Sequence, residues 1–401
     1  MELLIPAGNL EKLRTAVLYG ADAVYAGVAG LSLRAESAEM NLEDLATGVA
    51  EAHAKGVKVH AALNTFARNA DVERVGRVVP ELAAIGVDAV ILSDPGILRT
   101  VRRVAPTLPV HLSTQANTTN AEAVRFWRDQ GVGRIVLARE LTLEEIAAIH
   151  RAAPEVELEL FVHGAMCVAY SGRCFLSAFR NRRSSNQGDC TQPCRWEYRL
   201  VESTRPGDPL ILEEDDRYSY LLSSKDLRLI EHLPELAAAG VASLKAEGRM
   251  KSAYYVAVVT RTYRWALDAL EREGEEYRCR PEWLEELDKI SNRGYTTGFY
   301  FAGERINEVN PGVKYRQTHD LVGTVLAADR QMERILIGVR NRLKAGDEAE
   351  LLLPGATVRL DTGAMTGEGG LPVSEAHNGY RVWLPLEIAA PEGAVIRRRM
   401  G

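Results

Sequence analysis

Four of the five cysteines in this chain lie in one short segment, as Cys167, Cys174, Cys190 and Cys194. Their spacing is C-x6-C-x15-C-x3-C, and their neighbours include Arg, Asn, Gln, Ser and Gly. Cysteines that only fill a core are usually set among apolar residues, so these surroundings favour a chemical role. The chain begins without a signal-peptide pattern and has no apolar run long enough for a membrane helix, so we expect a cytoplasmic protein. In that reducing compartment, clustered thiols more often bind a metal or act in catalysis than form disulfides.

Three kinds of site could use these thiols. Zinc accepts four cysteines, but zinc-binding pairs usually have two to four intervening residues, whereas six separate Cys167 from Cys174. An iron–sulfur cluster tolerates irregular spacing, because each of its four irons takes one thiolate. A third possibility is a nucleophile, with His163 as the base for Cys167. Standard protease motifs and the glycine-rich fingerprints of nucleotide sites are absent from the sequence. The spacing therefore favours a 4Fe-4S cluster, with zinc and the Cys167–His163 pair as alternatives.

The elements that must position these thiols follow a regular pattern. Short β-rich apolar runs alternate with amphipathic helical stretches such as 42–56 and 141–152. The eight predicted strands cover residues 2–7, 23–28, 58–64, 89–94, 109–114, 134–140, 158–163 and 242–248. Eight such units predict an α/β fold, a (β/α)8 TIM-like barrel, with a doubly wound open sheet as the competing fold.

The pattern also predicts the domain organisation. We expect a barrel over 1–272, a connecting region over 273–315, and a small all-β barrel domain over 316–401, where short strands alternate with Gly and Asp turns. A cysteine-rich insertion at about 164–220 separates the last two barrel strands. Insertions after the carboxyl ends of barrel strands build the active-site face, so the cysteines are predicted to lie there.

Basic residues accompany the cysteines. The net charge of −6 argues against a basic surface overall but allows a local basic patch. Trp196 and Tyr198 lie among several arginines, a combination that suits a phosphate backbone and a stacked base, although a solvated loop would read similarly. The arginines of this segment that we predict to bind substrate are Arg173, Arg180, Arg182, Arg183 and Arg195.

A second charged group ends the eighth predicted strand. Lys245, Glu247 and Arg249 alternate along it and would share one face. Charges that face a barrel lumen are costly to bury without a function, so we favour binding of an anionic substrate over a structural ion pair. We predict Lys245 and Glu247, with His163, as catalytic residues and Arg249 as a substrate ligand. Four polar residues after other strands could complete the pocket: Arg34, Asn64, Gln115 and Asn117.

The cysteine segment also resembles a known signature. The stretch ELFVHGAMCVAYSGRCFLS (159–177) is similar to the signature of the collagenase-like peptidases, family U-32. The matching positions are Glu159, Phe161, Gly164, Cys167, Gly172, Cys174 and Ser177. Segments of the same type, such as 111–120, 186–198 and 244–255, extend the resemblance over nearly the whole chain.

This resemblance implies more than the peptidase name. Better characterised members look like RNA hydroxylation proteins and partners in oxygen-independent ubiquinone hydroxylation, with cysteine-bound 4Fe-4S clusters. The β-domain makes the chain most similar to the tRNA branch, which forms 5-hydroxyuridine at the wobble position with prephenate as co-substrate. The implied partners are the tRNA anticodon stem-loop, a small anionic co-substrate and a paralogous protein. A peptidase, or a non-catalytic cluster-bearing subunit, are the alternatives.

The resemblance also carries over ligands residue by residue. Cys167, Cys174 and Cys190 match cluster ligands of the family. Some relatives have a further Cys directly after SKDL, where this chain has Arg228. That departure leaves Cys194 as the predicted fourth ligand, or one iron open for substrate.

Overall fold

The structure is a computed structural model that describes residues 1–31, 39–166, 174, 176–181, 191, 193, 225–301 and 315–400. Within these ranges, no helix is both long enough and apolar enough to cross a membrane.

The first part of the chain alternates strands and helices. Its strands are β1 (Glu2–Ala7), β2 (Ala23–Val28), β3 (Glu39–Met40), β4 (Lys58–Ala62), β5 (Ala89–Leu92), β6 (Val110–Leu112), β7 (Arg134–Val136), β8 (Glu157–Ala165), β9 (Asp226–Arg228), β10 (Val241–Ala246) and β11 (Tyr295–Thr296). Its helices are α1 (Leu10–Leu18), α2 (Leu42–His53), α3 (Asn69–Ile85), α4 (Pro95–Val104), α5 (Ala121–Asp129), α6 (Leu143–Ala152), α7 (Leu176–Asn181), α8 (Leu233–Ala238), α9 (Ala253–Glu273) and α10 (Pro281–Asp288).

Eight of these strands close into a parallel barrel. The order is β1-β2-β4-β5-β6-β7-β8-β10, and β10 pairs with both β8 and β1, which closes the ring. This confirms the predicted (β/α)8 barrel and excludes the open sheet. Beyond the ring, β9 runs antiparallel to β8, and β11 runs parallel to β9.

Local sequence explains where these elements begin and end. Several helices start at a polar cap: the Asn9 side chain accepts from the backbone N–H of Lys12, and Thr142 forms a capping box with Glu145. Strand β6 ends at Leu112, before the residues that the sequence predicted, because Ser113 caps a short turn instead. The polar residues after the strands therefore lie in loops at the mouth of the barrel.

The barrel wall separates two kinds of interior. Residues such as Leu3 and Ile5 pack outward against the helices in the main core. Alternate residues point into the lumen, where Leu4, Tyr25 and Ile91 belong to a small separate apolar cluster. Buried charged side chains, among them Arg134, Glu159 and Lys245, also point into the lumen.

The second part of the chain is a curled antiparallel sheet. Its strands are β12 (His319–Asp329), β13 (Arg334–Val339), β14 (Leu343–Lys344), β15 (Ala349–Leu352), β16 (Thr357–Leu360), β17 (Thr366–Gly367), β18 (Glu375–Ala376), β19 (Arg381–Pro385) and β20 (Val395–Arg399). Seven of them form one sheet in the order β16-β15-β20-β12-β13-β19-β17, around an apolar core of its own. This confirms the predicted all-β module. Strand β20 is not predicted from the sequence, because its run Ile-Arg-Arg-Arg lacks an apolar alternation.

A buried ion network joins this sheet to the barrel. Glu286 on α10 accepts hydrogen bonds from Arg397 on β20, at 2.6 and 3.0 Å, and from Arg261 on α9. Arg397 also donates to Glu350 at 2.7 Å. Nearby, the Tyr19 hydroxyl donates to the carbonyl of Leu352 at 2.7 Å. The domain boundaries drawn from the sequence stay a prediction.

Candidate active site at the barrel mouth

A network of charges occupies the lumen toward the amino ends of the strands. Glu159 is fully buried and accepts from Lys245 Nζ at 2.7 Å and from Arg134 Nη1 at 3.5 Å. Arg134 also binds Glu2, and its Nε donates to Glu157 at 2.7 Å. The sequence reading did not name Glu159 or Arg134 as partners of Lys245. Strand alternation could have found Glu159, since it lies on the same face of β8 as Phe161 in the signature.

Burial and pairing act on Lys245 in opposite senses. Burial lowers the pKa of Lys245, while the neighbouring Glu159 carboxylate raises it, and the net direction is downward. The ammonium lies 4.3 Å from the ring centroid of Tyr25 and 5.7 Å from that of Phe161. Lys245 is therefore held by one carboxylate and two aromatic rings at the floor of the mouth.

The residues after β10 gather around Tyr25. The Tyr25 hydroxyl donates to the carbonyl of Ala246 at 2.9 Å and contacts Glu247 Oε2 at 3.5 Å. The guanidinium of Arg249 lies 5.8 Å from the same ring, and Arg249 is buried whereas Glu247 is half-buried. The structure thus brings Lys245, Glu247 and Arg249 together, although β10 ends at Ala246 and the last two lie in the following loop.

The opposite side of the mouth carries a buried arginine that the sequence reading missed. Arg139 follows β7, is only 9% exposed, and its guanidinium carbon lies 3.9 Å from the ring centroid of Phe161. Within the described ranges, its Nε has no hydrogen-bond acceptor. A charged residue just past the carboxyl end of a barrel strand is a signal that could have identified it.

Polar side chains from neighbouring strands lie at the same end of the barrel. Asn64 follows β4, and Gln115 and Asn117 follow β6; all three are half-buried. Asn117 has a φ of 54°, in the left-handed region. The Oδ1 atoms of Asn64 and Asn117 and the hydroxyl of Thr118 are buried and lack a hydrogen-bond partner among the described residues. Such groups are costly in a folded protein unless ordered water or a bound polar ligand satisfies them.

His163 lies apart from this group. A register shift between β8 and β10 pairs His163 with Ala246, and the imidazole packs against the rings of Tyr255, Tyr263 and Tyr295 at 5.5 to 5.9 Å. Burial, then the nearby positive charges, lowers the pKa of His163 to about 3, so the ring is neutral near pH 7. The side chain faces α9, outside the lumen. Its catalytic role stays a prediction.

Much of the predicted cysteine and arginine set lies outside the described residues: Cys167, Cys190, Cys194, Arg34, Arg173, Arg182, Arg183 and Arg195. Cys174 is half-buried, and Arg180 is exposed on α7. Thr191, which follows Cys190 in the chain, donates its backbone N–H to the Ser177 hydroxyl at 3.1 Å and accepts from Asn181 at 2.7 Å. Among the described side chains, no cluster of three or more His, Cys, Asp or Glu could hold a metal ion.

Arg228 directly follows the SKDL segment. It lies on β9 opposite His163, 4.5 Å from the ring centroid of Tyr295, and its guanidinium pairs with Glu231 at 3.2 Å. Cys279 is half-buried, and burial raises the pKa of its thiol to about 11, so it stays protonated near neutral pH.

Comparison with known proteins agrees with this arrangement of barrel and β module. The family described as "Peptidase family U32" matches residues 8–310, and its "C-terminal domain" matches residues 317–397. The "tRNA hydroxylation protein P1" of Bacillus subtilis is 42% identical over 88% of this chain and 83% of its own length. The "tRNA hydroxylation protein P" of Escherichia coli is 37% identical over 96% and 93%. A "Collagenase" of Porphyromonas gingivalis is 35% identical over 77% and 75%. The chain therefore belongs to peptidase family U32.

Proposed function

We propose that this chain is an RNA-modifying enzyme that hydroxylates the wobble uridine of tRNA to 5-hydroxyuridine, with prephenate as co-substrate. The observation that carries the proposal is similarity along nearly the full length to proteins named for tRNA hydroxylation, including the β module. The similarity to a collagenase covers less of both chains. Such an enzyme would act in the cytoplasm, with tRNA as its partner.

The charge at the barrel mouth supports an anionic co-substrate. Lys245, Arg249 and Arg139 surround the rings of Tyr25 and Phe161 at the carboxyl end of the barrel. Barrel enzymes bind their substrates at this end, and guanidinium and ammonium groups are the natural partners of carboxylates. A peptidase based on Cys167 would need a free base, and the predicted base, His163, is buried against the rings of Tyr255, Tyr263 and Tyr295.

The cysteines would hold a 4Fe-4S cluster, with zinc as the alternative. Ser177, three residues after Cys174, is hydrogen-bonded to Thr191, next to Cys190. This contact supports a shared site for the thiolates of Cys174 and Cys190, which Cys167 and Cys194 would complete. When bound, such a cluster supplies one-electron redox chemistry.

The RNA would approach across the arginines near the cysteines. Arg180 is exposed on α7, the short helix that starts directly after the Cys174 segment. With the other arginines predicted from the sequence, it would contact the phosphates of the anticodon stem-loop. A paralogous protein partner could extend the same surface.

The test is the modification itself. An Escherichia coli strain that lacks its tRNA hydroxylation protein P, grown without oxygen, should regain 5-hydroxyuridine derivatives when it carries this chain. Nucleoside mass spectrometry of its tRNA measures this. Unchanged nucleosides, together with gelatin cleavage that is lost in Cys167→Ala but survives iron removal, would favour the peptidase instead.

The cofactor has a separate test with a matched control. Anaerobically purified protein should contain iron and sulfide and absorb in the visible range. Cys174→Ser should lose both, while Cys279→Ser should keep them, because Cys279 lies outside the segment. A colourless protein with stoichiometric zinc would contradict the cluster.

A further inference from the structure

Arg139 differs from other buried arginines in its surroundings. Within the described ranges, its guanidinium carbon lies 3.9 Å from the ring centroid of Phe161, its Nε has no hydrogen-bond acceptor, and no carboxylate forms an ion pair with it. Three other buried arginines are paired with acids: Arg134 with Glu157, Arg397 with Glu286, and Arg293 with Asp226. Removing a charge from water is costly, and a ring contact offsets only part of that cost. The guanidinium of Arg139 therefore has no ion pair among the described residues to offset the cost of burying its Nε.

The surroundings of Arg139 are fixed by the backbone. The N–H of Ala138 donates to the carbonyl of Thr118 at 3.2 Å, which joins the loop after β7 to the loop after β6. Tyr300 donates its hydroxyl to the carbonyl of Phe161 at 3.0 Å and so supports the strand that carries the ring. Arg139 thus lies in a loop that is hydrogen-bonded to its neighbour, and it packs against the ring of Phe161.

Two acceptor atoms without a hydrogen-bond partner in the described ranges lie in the loop after β6, which is joined to the loop that carries Arg139. The buried hydroxyl of Thr118 and the buried Oδ1 of Asn117 have no partner among the residues that the structure describes. Asn117 keeps a left-handed backbone that glycine would adopt more readily, so an amide is retained there at some cost. The amide oxygen of Asn117 is a hydrogen-bond acceptor, so its partner must carry a donor such as a hydroxyl group.

We propose that Arg139 binds a carboxylate of a small hydroxy acid at the barrel mouth. The guanidinium carbon lies 3.9 Å from the ring centroid of Phe161, and the guanidinium donates to the carboxylate, while Asn117 accepts from a hydroxyl group of the ligand. Only 9% of Arg139 is exposed, which suits a small acid rather than the backbone of an RNA. This inference rests on the proposed function, because it assigns a residue to the anionic co-substrate of the same site.

Binding of prephenate to the full-length protein tests the inference. Isothermal titration of anaerobically purified wild type, Arg139→Gln and Arg139→Lys should give a Kd for Arg139→Gln that is about tenfold to a hundredfold higher. Arg139→Lys should recover part of the loss. The control is Arg151→Gln, an exposed arginine on the helix that follows the same strand, which should bind like wild type.

Stability and RNA binding separate the possible outcomes. Arg139→Gln should unfold at the same or a higher temperature, whereas a structural arginine would lower it. A Kd within twofold of wild type, or a loss confined to tRNA binding in a gel shift, would overturn the inference. So would a wild type that binds none of prephenate, malate, citrate and phenylpyruvate. If acid binding depends on Arg139 but tRNA hydroxylation is absent, the proposed function fails and the inference stands.

Discussion

Arg397 and Arg139 are both buried, but the chain treats their charges differently. Arg397, at 0% exposure, makes two hydrogen bonds to Glu286 and one to Glu350 where the β module meets the barrel. Arg139 has the ring of Phe161, a contact worth roughly 1 to 2 kcal/mol when desolvated, against a desolvation cost of several kcal/mol. The charge of Arg397, which joins the β module to the barrel, is neutralised by acids. The charge of Arg139 at the barrel mouth has no such partner among the described residues. This difference is the basis on which we propose that Arg139 binds an anion.

The lumen repeats this contrast over a short distance. Lys245 sits beside Glu159, so its charge is compensated within the fold. Arg139 also lies near Phe161, but no acid of the described ranges forms an ion pair with it. Lys245 at the floor of the mouth is thus compensated by a direct ion pair, and Arg139 is not, as far as the described residues go.

We expect the largest change in stability where the β module is joined to the barrel. Glu286→Gln leaves two buried arginines, Arg261 and Arg397, without their shared carboxylate. We expect a loss of about 3 to 5 kcal/mol in the free energy of unfolding, measured by urea denaturation. Glu285→Gln, an exposed change on the same helix, is the control. A loss below about 1 kcal/mol would mean that this network does not hold the two parts together.

Acid should dissolve the same network. Burial alone would raise the pKa of Glu286, but the hydrogen bond from Arg397 and the charges of both arginines lower it to about 2, against 4.5 ordinarily. Since the folded pKa is lowered, the stabilisation is complete above about pH 4.5 and is lost as the pH falls toward 2. The amount is about 3 kcal/mol. Unfolding free energies from pH 7 to 2.5 should converge for wild type and Glu286→Gln; parallel curves would contradict this.

Removing the charge of Arg139 should not lower the free energy of unfolding, in contrast to Glu286→Gln. Arg139→Met places an unbranched apolar side chain beside Phe161 and removes a cation without an ion pair in the described ranges, so we expect stability to stay equal or rise by roughly 1 kcal/mol. Urea denaturation of ligand-free protein measures this. A loss as large as that of Glu286→Gln would make Arg139 a structural residue and remove the contrast.

The smallest effect concerns Asn117. Asn117→Gly removes the amide acceptor but suits the left-handed backbone, so stability should hold while prephenate binding weakens about threefold, as expected for one neutral hydrogen bond. Asn117→Ala should weaken binding similarly and also cost roughly 1 kcal/mol of stability, because alanine is strained at that φ. Equal binding in wild type and Asn117→Gly would show that the amide faces no ligand.

The barrel could be predicted from the sequence because its signals are local. Each strand is a short apolar run between helical stretches, and all eight appear within a few residues of their predicted positions. The spacing of Lys245, Glu247 and Arg249 predicted that they lie close together, but as one face of a strand, whereas β10 ends at Ala246 and the last two lie in the loop that follows. The β module was predictable in type, but β20 was not, since its pairing with β12 and β15 overrides a polar sequence.

The details of the site depend on contacts between distant residues. Glu159 and Lys245 are 86 positions apart, and no local pattern pairs them. A register shift in β8 turns His163 toward α9, although simple alternation from Phe161 would place it in the lumen. Arg139 lies within 134–140, which the sequence predicts as a strand, so only its burial without an acid distinguishes it from a surface arginine.

Complementation of a deletion strain tests directly whether tRNA hydroxylation depends on Arg139. Wild type, Arg139→Gln and Arg151→Gln are each expressed, without oxygen, in an Escherichia coli strain lacking its tRNA hydroxylation protein P. Wobble 5-hydroxyuridine derivatives are then measured by nucleoside mass spectrometry. We predict restoration by wild type and Arg151→Gln, and a large deficit with Arg139→Gln at equal protein level. No restoration by wild type, or equal restoration by all three, would contradict the account.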